Sequence, residues 1–454
     1  MIADPNLLGG RFSPRPVKPT TMTADPTNDG VSRRTVLKAV GTVGTTAGVA
    51  SRFVSPVAAE RGPLAGFGGT ACKTARTSDE NLPFGTDDRY GGWGGHEYHC
   101  TDPGTEQNPI VFVHGNTHDG CDFAEHATEY LERGYGGDAL WSITFREATS
   151  THPEMRDQLE EFVTKIRGYT GADTVDLVSH SLGVTGARFW MDDNDRYEWV
   201  DTFVGCAGAN HGTYTCGPTC EPKPGASEPC QFISPACAEP GGPLYDLNTP
   251  DETPGDVDYY TIRGTADYFY ADDPDSPRLE GANRNVVIDG GHNATRASER
   301  SIDLIFEWAT DGTVVPDTET GSGRPVSATG SRSDDGSAFT AGQTDRVDLT
   351  VEADAPVVVR DTIPYEWDVL EEHSPDLSCI EPHPHRGVIY LHFTGDEAPK
   401  RYSVSYLVEA PDDLEDTKTY TFGPVEVRRP DSERWSEIPG TEETNTVAGV
   451  NSDG

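Results

Sequence analysis

Between residues 108 and 310, short apolar runs alternate with amphipathic segments, and few folds accept such a pattern. The runs 110-IVFV-113, 139-ALWSITF-145, 175-VDLV-178, 202-TFVGCA-207, 258-DYYTIRG-264 and 285-NVVI-288 have strand length and strand composition. Between them, 122-DFAEHATEYLERG-134 sets Phe123, Ala127, Tyr130 and Leu131 on one helical face. The segment 153-PEMRDQLEEFVTKIRG-168 starts with proline, ends with glycine and stacks Met155, Leu159, Phe162, Val163 and Ile166 in one stripe. A last helix is predicted over 297-ASERSIDLIFEWA-309. Short buried strands separated by such helices predict an α/β fold, with a mostly parallel sheet covered by helices on both faces. Reactive groups in that architecture belong at the carboxyl ends of the strands.

One strand end carries an unusual junction. In 174-TVDLVSHSLGVTGARF-189 the apolar run passes through Ser-His-Ser-Leu-Gly directly into a helical pattern. A serine on so tight a turn has its Oγ lifted out of the sheet, with the unpaired N–H groups of a helix N-terminus behind it. Small residues are required two before and two after, because the elbow crowds neighbouring backbones. Ser181 occupies the turn, with Ser179 and Gly183 at the flanking positions, so serine replaces the first glycine of the usual G-x-S-x-G pattern.

A nucleophilic serine needs a base, and the base needs an orienting carboxylate. Asp267 follows the run 258–264, and His292 follows the run 285–288 in a glycine-containing loop, so the expected rim of the sheet carries Ser181, Asp267 and His292 in that chain order. Rivals exist. His180 adjoins the serine but is expected to project from the opposite side of the turn, His211 lies in a loop after a strand, and Asp272 and Asp273 fall in an acidic loop. The negative oxygen of a tetrahedral intermediate needs preorganised donors. The backbone N–H of Leu182 is one candidate, and that of Asn116 in 114-HGN-116 is the other, with Gly115 permitting close approach and His114 ordering the loop.

These segments, with 204-VGCAGANHGT-213 and 244-LYDLNTPDETPGDVDYYTIRGTADYFY-270, resemble the class 2 triacylglycerol lipases of bacteria over about residues 105–310. The HGN loop and H-S-x-G elbow also resemble the related secreted depolymerase of native poly(3-hydroxybutyrate) granules. The resemblance implies an α/β-hydrolase fold and serine carboxylester hydrolysis through an acyl-enzyme, without cofactor or metal. It assigns Ser181, Asp267 and His292 to the triad and Asn116 and Leu182 to the oxyanion donors. Substrates left open are lipids, small esters and polyhydroxyalkanoate polyesters. A cysteine-rich insert, 211–242, departs from the smallest members of the family.

The charge balance narrows the partners. With 76 acidic against 35 basic residues, a formal charge of −41 and only 34% apolar residues, the surface would repel nucleic acid and acidic substrates. Such a carboxylate-rich surface suits a halophile, where salt screens self-repulsion. In 32-SRRTVLKAVGTVGTTAGVASRFVSPVAA-59 the paired arginines, weakly apolar stretch and small residues at 57–59 resemble a twin-arginine export signal cleaved near Ala59. The translocase is then a partner during export, the mature protein is extracellular, and no run of about 18 apolar residues predicts a stable membrane span.

Nine cysteines agree with an oxidising exterior. Eight lie before residue 240 and can pair in 105 ways, with Cys379 alone beyond them. Four fall in the insert, whose Pro, Gly and Ser spacers favour a disulfide-stapled loop over a zinc site. His96 and His99, and the stretch 272-DDPDS-276, read as solvated loops rather than metal ligands.

The chain then divides as a signal region over 1–59, a catalytic domain over 60–312, a flexible linker over 313–345, a small antiparallel β-sandwich over 346–430 and a disordered tail over 431–454. The sandwich resembles accessory domains of haloarchaeal secreted proteins and is expected to solubilise the enzyme or bind a surface. A reading of another class, a cell-surface binding protein on an inactive hydrolase scaffold, predicts loss of one triad member. All three positions are filled in order.

Overall fold

A computed structural model describes residues 74–220, 227–310, 326–384, 386–393, 399–412, 414–430, 432 and 434–449. The expected export signal lies outside the described residues, as does the linker stretch 311–325. Seven strands form the first sheet: β1 Tyr90–Gly94, β2 Ile110–Val113, β3 Leu140–Phe145, β4 Val175–His180, β5 Val200–Cys206, β6 Asp258–Gly264 and β7 Arg284–Ile288. Their spatial order is β1-β3-β2-β4-β5-β6-β7. Only β1 runs antiparallel, pairing with β3, and every other neighbouring pair is parallel.

Period-two alternation sends each strand's side chains to both faces. In β2, Val111 and Val113 enter one core with Met155, Leu159, Phe162 and Trp190 from the helices His152–Thr170 and Leu182–Asp193. Ile110 and Phe112 enter a second core with Phe123, Tyr130, Ile305 and Trp308, on the side of the helices Ala124–Glu132 and Glu299–Ala309. A sheet buried on both faces explains why its strands read as continuous apolar runs. The long helix begins in a capping box, in which Thr151 and Glu154 satisfy each other's backbone N–H, and it ends on left-handed Gly171.

Strand β1 was not among the expected elements. Its sequence, YGGWG, looks like a turn, yet Gly92 and Gly94 have φ of 143° and 151° and lie close against β3. Glycine here serves close backbone approach at the sheet edge.

The C-terminal part is built of small, mostly antiparallel sheets. Thr344–Ala353 lies between Ala328–Ser333 and Arg401–Glu409, and Val358–Pro364 lies between Val388–Phe393 and Glu426–Arg428. Trp367, Tyr406, Phe393 and Val447 belong to its buried core. Two expected boundaries are corrected. Strands begin at Ala328, inside the stretch expected to be linker. The tail expected to be disordered contributes Ser436–Glu437 and Glu443–Ala448, the latter paired with Lys418–Phe422. In that tail strand only Asn445 and Val447 turn inward, so its composition reads as polar although its pairing is ordered.

The two parts pack as one compact unit. A disulfide joins Cys100 to Cys379, so Cys379 is not solitary. The other described bridges are Cys216–Cys230 and Cys220–Cys237, and Cys121 is also disulfide-bonded. Cys206 is a free, buried thiol in β5, where burial pushes its pKa up to about 12. The chain separation of Cys100 and Cys379, and the inward pleat of Cys206, are tertiary facts that no cysteine spacing encodes.

Candidate active site

Strand β4 ends at His180, and the next helix begins at Leu182, leaving Ser181 alone at the junction. Its φ of 54° and ψ of −123° place a non-glycine residue in a strained conformation costing about 1–3 kcal/mol. The strain is held by crowding. Ser181 N–H donates to the Cys206 carbonyl at 2.8 Å. A Cβ added to Gly183 would sit 2.5 Å from the His114 carbonyl oxygen, and one on Gly115 would lie 2.9 Å from Ser181 Cβ. Ser179 is fully buried in β4, which accounts for a small residue at the position that glycine usually takes.

The loops after β6 and β7 bring two more groups to this rim. His292 Nε2 lies 2.8 Å from Ser181 Oγ, and His292 Nδ1 lies 2.8 Å from Asp267 Oδ2. The other oxygen of Asp267 accepts the N–H of Phe269 at 3.1 Å, which fixes the carboxylate at the start of a short 3-10 turn. Asp267 is buried, whereas Asp272 and Asp273 are exposed on the following loop. The His292 carbonyl accepts the Thr295 hydroxyl at 2.7 Å, so the glycine-rich loop is tied to the helical turn behind it.

A pocket of about 420 Å³ opens over Ser181 and His292, and Asn116 and Leu182 stand in its wall. Leu182 is the first residue of its helix, so its N–H is among those no intrahelical carbonyl can accept. The loop carrying Asn116 is braced by His114, which takes the Phe145 N–H on Nε2 at 3.0 Å and contacts the Gly115 carbonyl through Nδ1 at 2.7 Å. Burial lowers the His114 pKa to about 3, with nearby Arg76 acting in the same direction, and the ring stays neutral.

Two histidines differ from expectation in place: His180, and His99, which was expected in a solvated loop and is buried in the helix His96–His99. His180 does not face away from the site: its buried ring stands 4.9 Å from that of His292, and its Nε2 lies 3.4 Å from the His292 carbonyl. Desolvation, reinforced by His292, drives its pKa far down and keeps it neutral. His211 lies elsewhere, pairing with Glu252 at 2.8 Å. His96 pairs with Asp138, and His99 is buried against the Leu140 carbonyl. Among the described residues, ligand atoms of Cys100, Glu381 and His392 come within 4.8 Å of one another, but the Cys100 sulfur is engaged in its disulfide.

The insert forms part of the pocket wall. Thr213 and Ile233 line it, and Thr213 Oγ1 donates to the Phe269 carbonyl at 2.7 Å. Ile233 ends the helix Glu228–Ile233, which carries Cys230 of one insert disulfide and is followed by Cys237 of the other. That helix is docked by His152, whose ring stacks on Phe232 at 3.6 Å and whose Nδ1 meets Glu228 at 3.3 Å.

One group of site residues had no counterpart in the sequence reading. His118 lines the pocket, its Nδ1 lies 2.5 Å from Asp122 Oδ2, and the other oxygen of Asp122 lies 3.1 Å from Arg296. The available signal was the i, i+4 spacing of His118 and Asp122 just after the HGN loop.

The family model described as lipase (class 2) matches residues 107–275, a span that includes Asn116, Ser181 and Asp267 and stops short of His292. Among solved structures, the chain is similar to the mature form of the Bacillus licheniformis lipase BlEst2, at 15% identity and a TM-score of 0.38, covering 46% of this chain and 94% of that one. It is also similar to Aspergillus fumigatus lipase B, at 13% identity and a TM-score of 0.32, covering 42% and 46%. A third is the Bacillus subtilis carboxylesterase CesB, at 12% identity and a TM-score of 0.27, covering 45% and 85%. The sheet order, the helices on both faces and the class 2 lipase match describe an α/β-hydrolase fold and support a carboxylic ester hydrolase.

Proposed function

We propose that the protein is a secreted serine carboxylester hydrolase, a lipase or esterase, working through an acyl-enzyme. The observation that carries the reading is the unbroken chain from Asp267 through His292 to Ser181, with 2.8 Å at each contact, opening into a pocket. In it the Ser181 hydroxyl donates to His292 Nε2, and His292 Nδ1–H donates to Asp267. As Oγ attacks the ester carbonyl carbon, its proton passes to Nε2, and Asp267 stabilises the imidazolium without taking a proton. The carbonyl oxygen becomes an oxyanion and accepts the N–H groups of Leu182 and Asn116, each worth on the order of 2.7–4 kcal/mol. The imidazolium then protonates the alcohol oxygen as the C–O bond breaks, and water, deprotonated by the same ring, releases the acid.

Polyhydroxyalkanoate hydrolysis is the second reading, and the rim of the pocket favours a substrate met at a surface. Tyr214 and Tyr268 are 50% and 56% exposed, and each adjoins a residue that lines the pocket. Secretion is supported by the several disulfides, which persist in oxidising compartments. Among the described residues no helix is long and apolar enough to cross a membrane.

Ser181→Ala tests the reading. It should abolish hydrolysis of p-nitrophenyl esters and labelling by a fluorophosphonate, and labelling at the wild-type rate would place the nucleophile elsewhere. Asp267→Asn should keep the protein folded and lower kcat by about 10⁴-fold, as loss of the orienting carboxylate does in a serine triad. For export, replacing Arg33 and Arg34 by lysine should retain precursor in the cell.

A further inference from the structure

Acyl transfer through the triad gives no task to His118, a residue of the pocket wall. His118 lies in the loop that carries Asn116, two residues further on, and its backbone is held on two sides while Asp122 holds its ring. Its N–H donates to the Gly115 carbonyl at 3.3 Å, and its own carbonyl accepts Arg76 Nη2 at 2.9 Å. Its ring is fixed at Nδ1 by Asp122 at 2.5 Å. Asp122 is itself buried and paired with buried Arg296, which also donates to the Asp122 carbonyl at 2.7 Å. Burial alone would raise the Asp122 pKa, but its contacts with His118 and Arg296 hold it below the usual carboxylate range, so it is an anion at neutral pH.

An anion on Nδ1 fixes the proton there. With Nδ1 taken by Asp122, Nε2 is the ring nitrogen left to meet a ligand in the pocket that His118 lines beside Ser181 and His292. Most of the remaining wall is apolar, with Leu182, Ala209, Ile233 and Phe269. A rigid imidazole in such a wall leaves a polar atom unsatisfied against a plain alkyl chain, and unsatisfied polar atoms are what allow a site to reject an analogue that lacks the matching group.

Resting on the ester-hydrolase reading, we propose that His118 is a specificity-determining residue that selects esters bearing a hydroxyl close to the scissile carbonyl. A hydroxyl fits this nitrogen in either protonation state, donating to the neutral ring and accepting from the imidazolium. An alkyl group fits neither, and a carbonyl oxygen fits only the imidazolium. The hydroxyl can belong to the acyl part, as in a hydroxyacyl ester or the end of a polyester, or to the alcohol part, as in a partial glyceride.

Two matched pairs of substrates separate those sources: p-nitrophenyl 3-hydroxybutyrate against p-nitrophenyl butyrate, and 2-hydroxyethyl butyrate against propyl butyrate. The quantity read is the ratio of kcat/KM within each pair, so a general loss of activity cancels. Wild-type protein should favour the hydroxylated member of one pair by roughly tenfold, the worth of one hydrogen bond. His118→Asn keeps an N–H near the position of Nδ1 for Asp122 and removes the group facing the pocket, and it should bring the ratio close to one. His118→Gln places an amide near the position of Nε2 and gives up the Asp122 contact, and it should retain most of the preference. A purely structural role for His118 gives the reverse order, with asparagine preserving the ratio and glutamine losing it. That order, or a wild-type ratio near one in both pairs, overturns the proposal. Fluorophosphonate labelling of the wild type at Ser181 keeps the two failures apart, since it tests the ester-hydrolase reading whatever the ratios are.

Discussion

Thr128 of the α/β part and His383 of the C-terminal part are hydrogen-bonded through Oγ1 and Nδ1 at 2.8 Å, both buried where the two parts meet. The far nitrogen of His383 lies 2.8 Å from Glu381, whose second oxygen lies 2.7 Å from His392. Burial opposes a charge on Glu381, but the two histidines outweigh it and hold its pKa far below the usual carboxylate range. The Cys100–Cys379 disulfide bridges the same two parts. A buried, satisfied polar network beside a covalent bridge is the mark of a permanent junction rather than of a tethered accessory module.

The double variant Cys100→Ala/Cys379→Ala should therefore lose stability heavily. Closing a loop of about 100 residues is worth roughly 4.7 kcal/mol by the chain-entropy estimate, and this bridge spans 279 residues. Denaturant unfolding in molar salt should show a lower midpoint and separate transitions for the two parts. A single transition at the wild-type midpoint would mean that packing alone holds the junction.

At the elbow, two small residues should respond in opposite ways. Gly183→Ala forces a methyl within 2.5 Å of the His114 carbonyl oxygen and 2.9 Å of the Val113 carbonyl, so stability should fall by about 1–3 kcal/mol and activity with it. Ser179 buries a hydroxyl with no hydrogen-bond partner among the described residues. Ser179→Ala should be neutral, or stabilising by up to about 1 kcal/mol, with activity kept. Thermal midpoints and p-nitrophenyl butyrate turnover of the two variants check both halves.

The insert should set acyl-chain preference. Ile233 and Thr213 wall the pocket on a segment stapled by Cys216–Cys230 and Cys220–Cys237, bridges spanning 14 and 17 residues. Mild reduction in high salt should shift the ratio of short-chain to long-chain ester hydrolysis while Ser181 still labels. An unchanged profile after confirmed reduction of the four cysteines would free the insert from any role in chain length.

Stability should carry a pH signature from the pair at the base of the insert. Glu252, chiefly through its hydrogen bond, raises the His211 pKa above its ordinary 6.5; that contribution is complete below 6.5 and is lost as pH rises through the folded-state value. Although burial opposes it, His211 lowers Glu252 below its ordinary 4.5; that contribution is present above 4.5 and is lost as pH falls through the folded-state value. The pair thus contributes most between pH 4.5 and 6.5. The ring is 34% exposed, so screening limits the gain to about 1 kcal/mol. His211→Gln should lower the urea midpoint at pH 5.5 and leave it nearly unchanged at pH 8.5.

The strand, elbow and helix around Ser181 could be read from sequence because each depends on local periodicity, and the positions of Asp267 and His292 followed from the strands before them. Edge strand β1 could not, since its glycines are chosen for what β3 presses against them. The strand Glu443–Ala448 hid because only two of its six residues are buried. His180 was misplaced because the sense of a strained turn is set by its crowded neighbours. Of the His118–Asp122–Arg296 group only the i, i+4 spacing of the first two was legible, since Arg296 reaches Asp122 across 174 residues of sequence.

The bridge at Cys100 turns most of this enzyme into a covalent ring. Ser181, Asp267 and His292 all lie on the closed circuit between residues 100 and 379. A protease that cuts once anywhere on that circuit, the stretch 311–325 included, opens the ring without releasing a fragment. Both pieces stay on one molecule, and only a reducing agent or a second cut separates them.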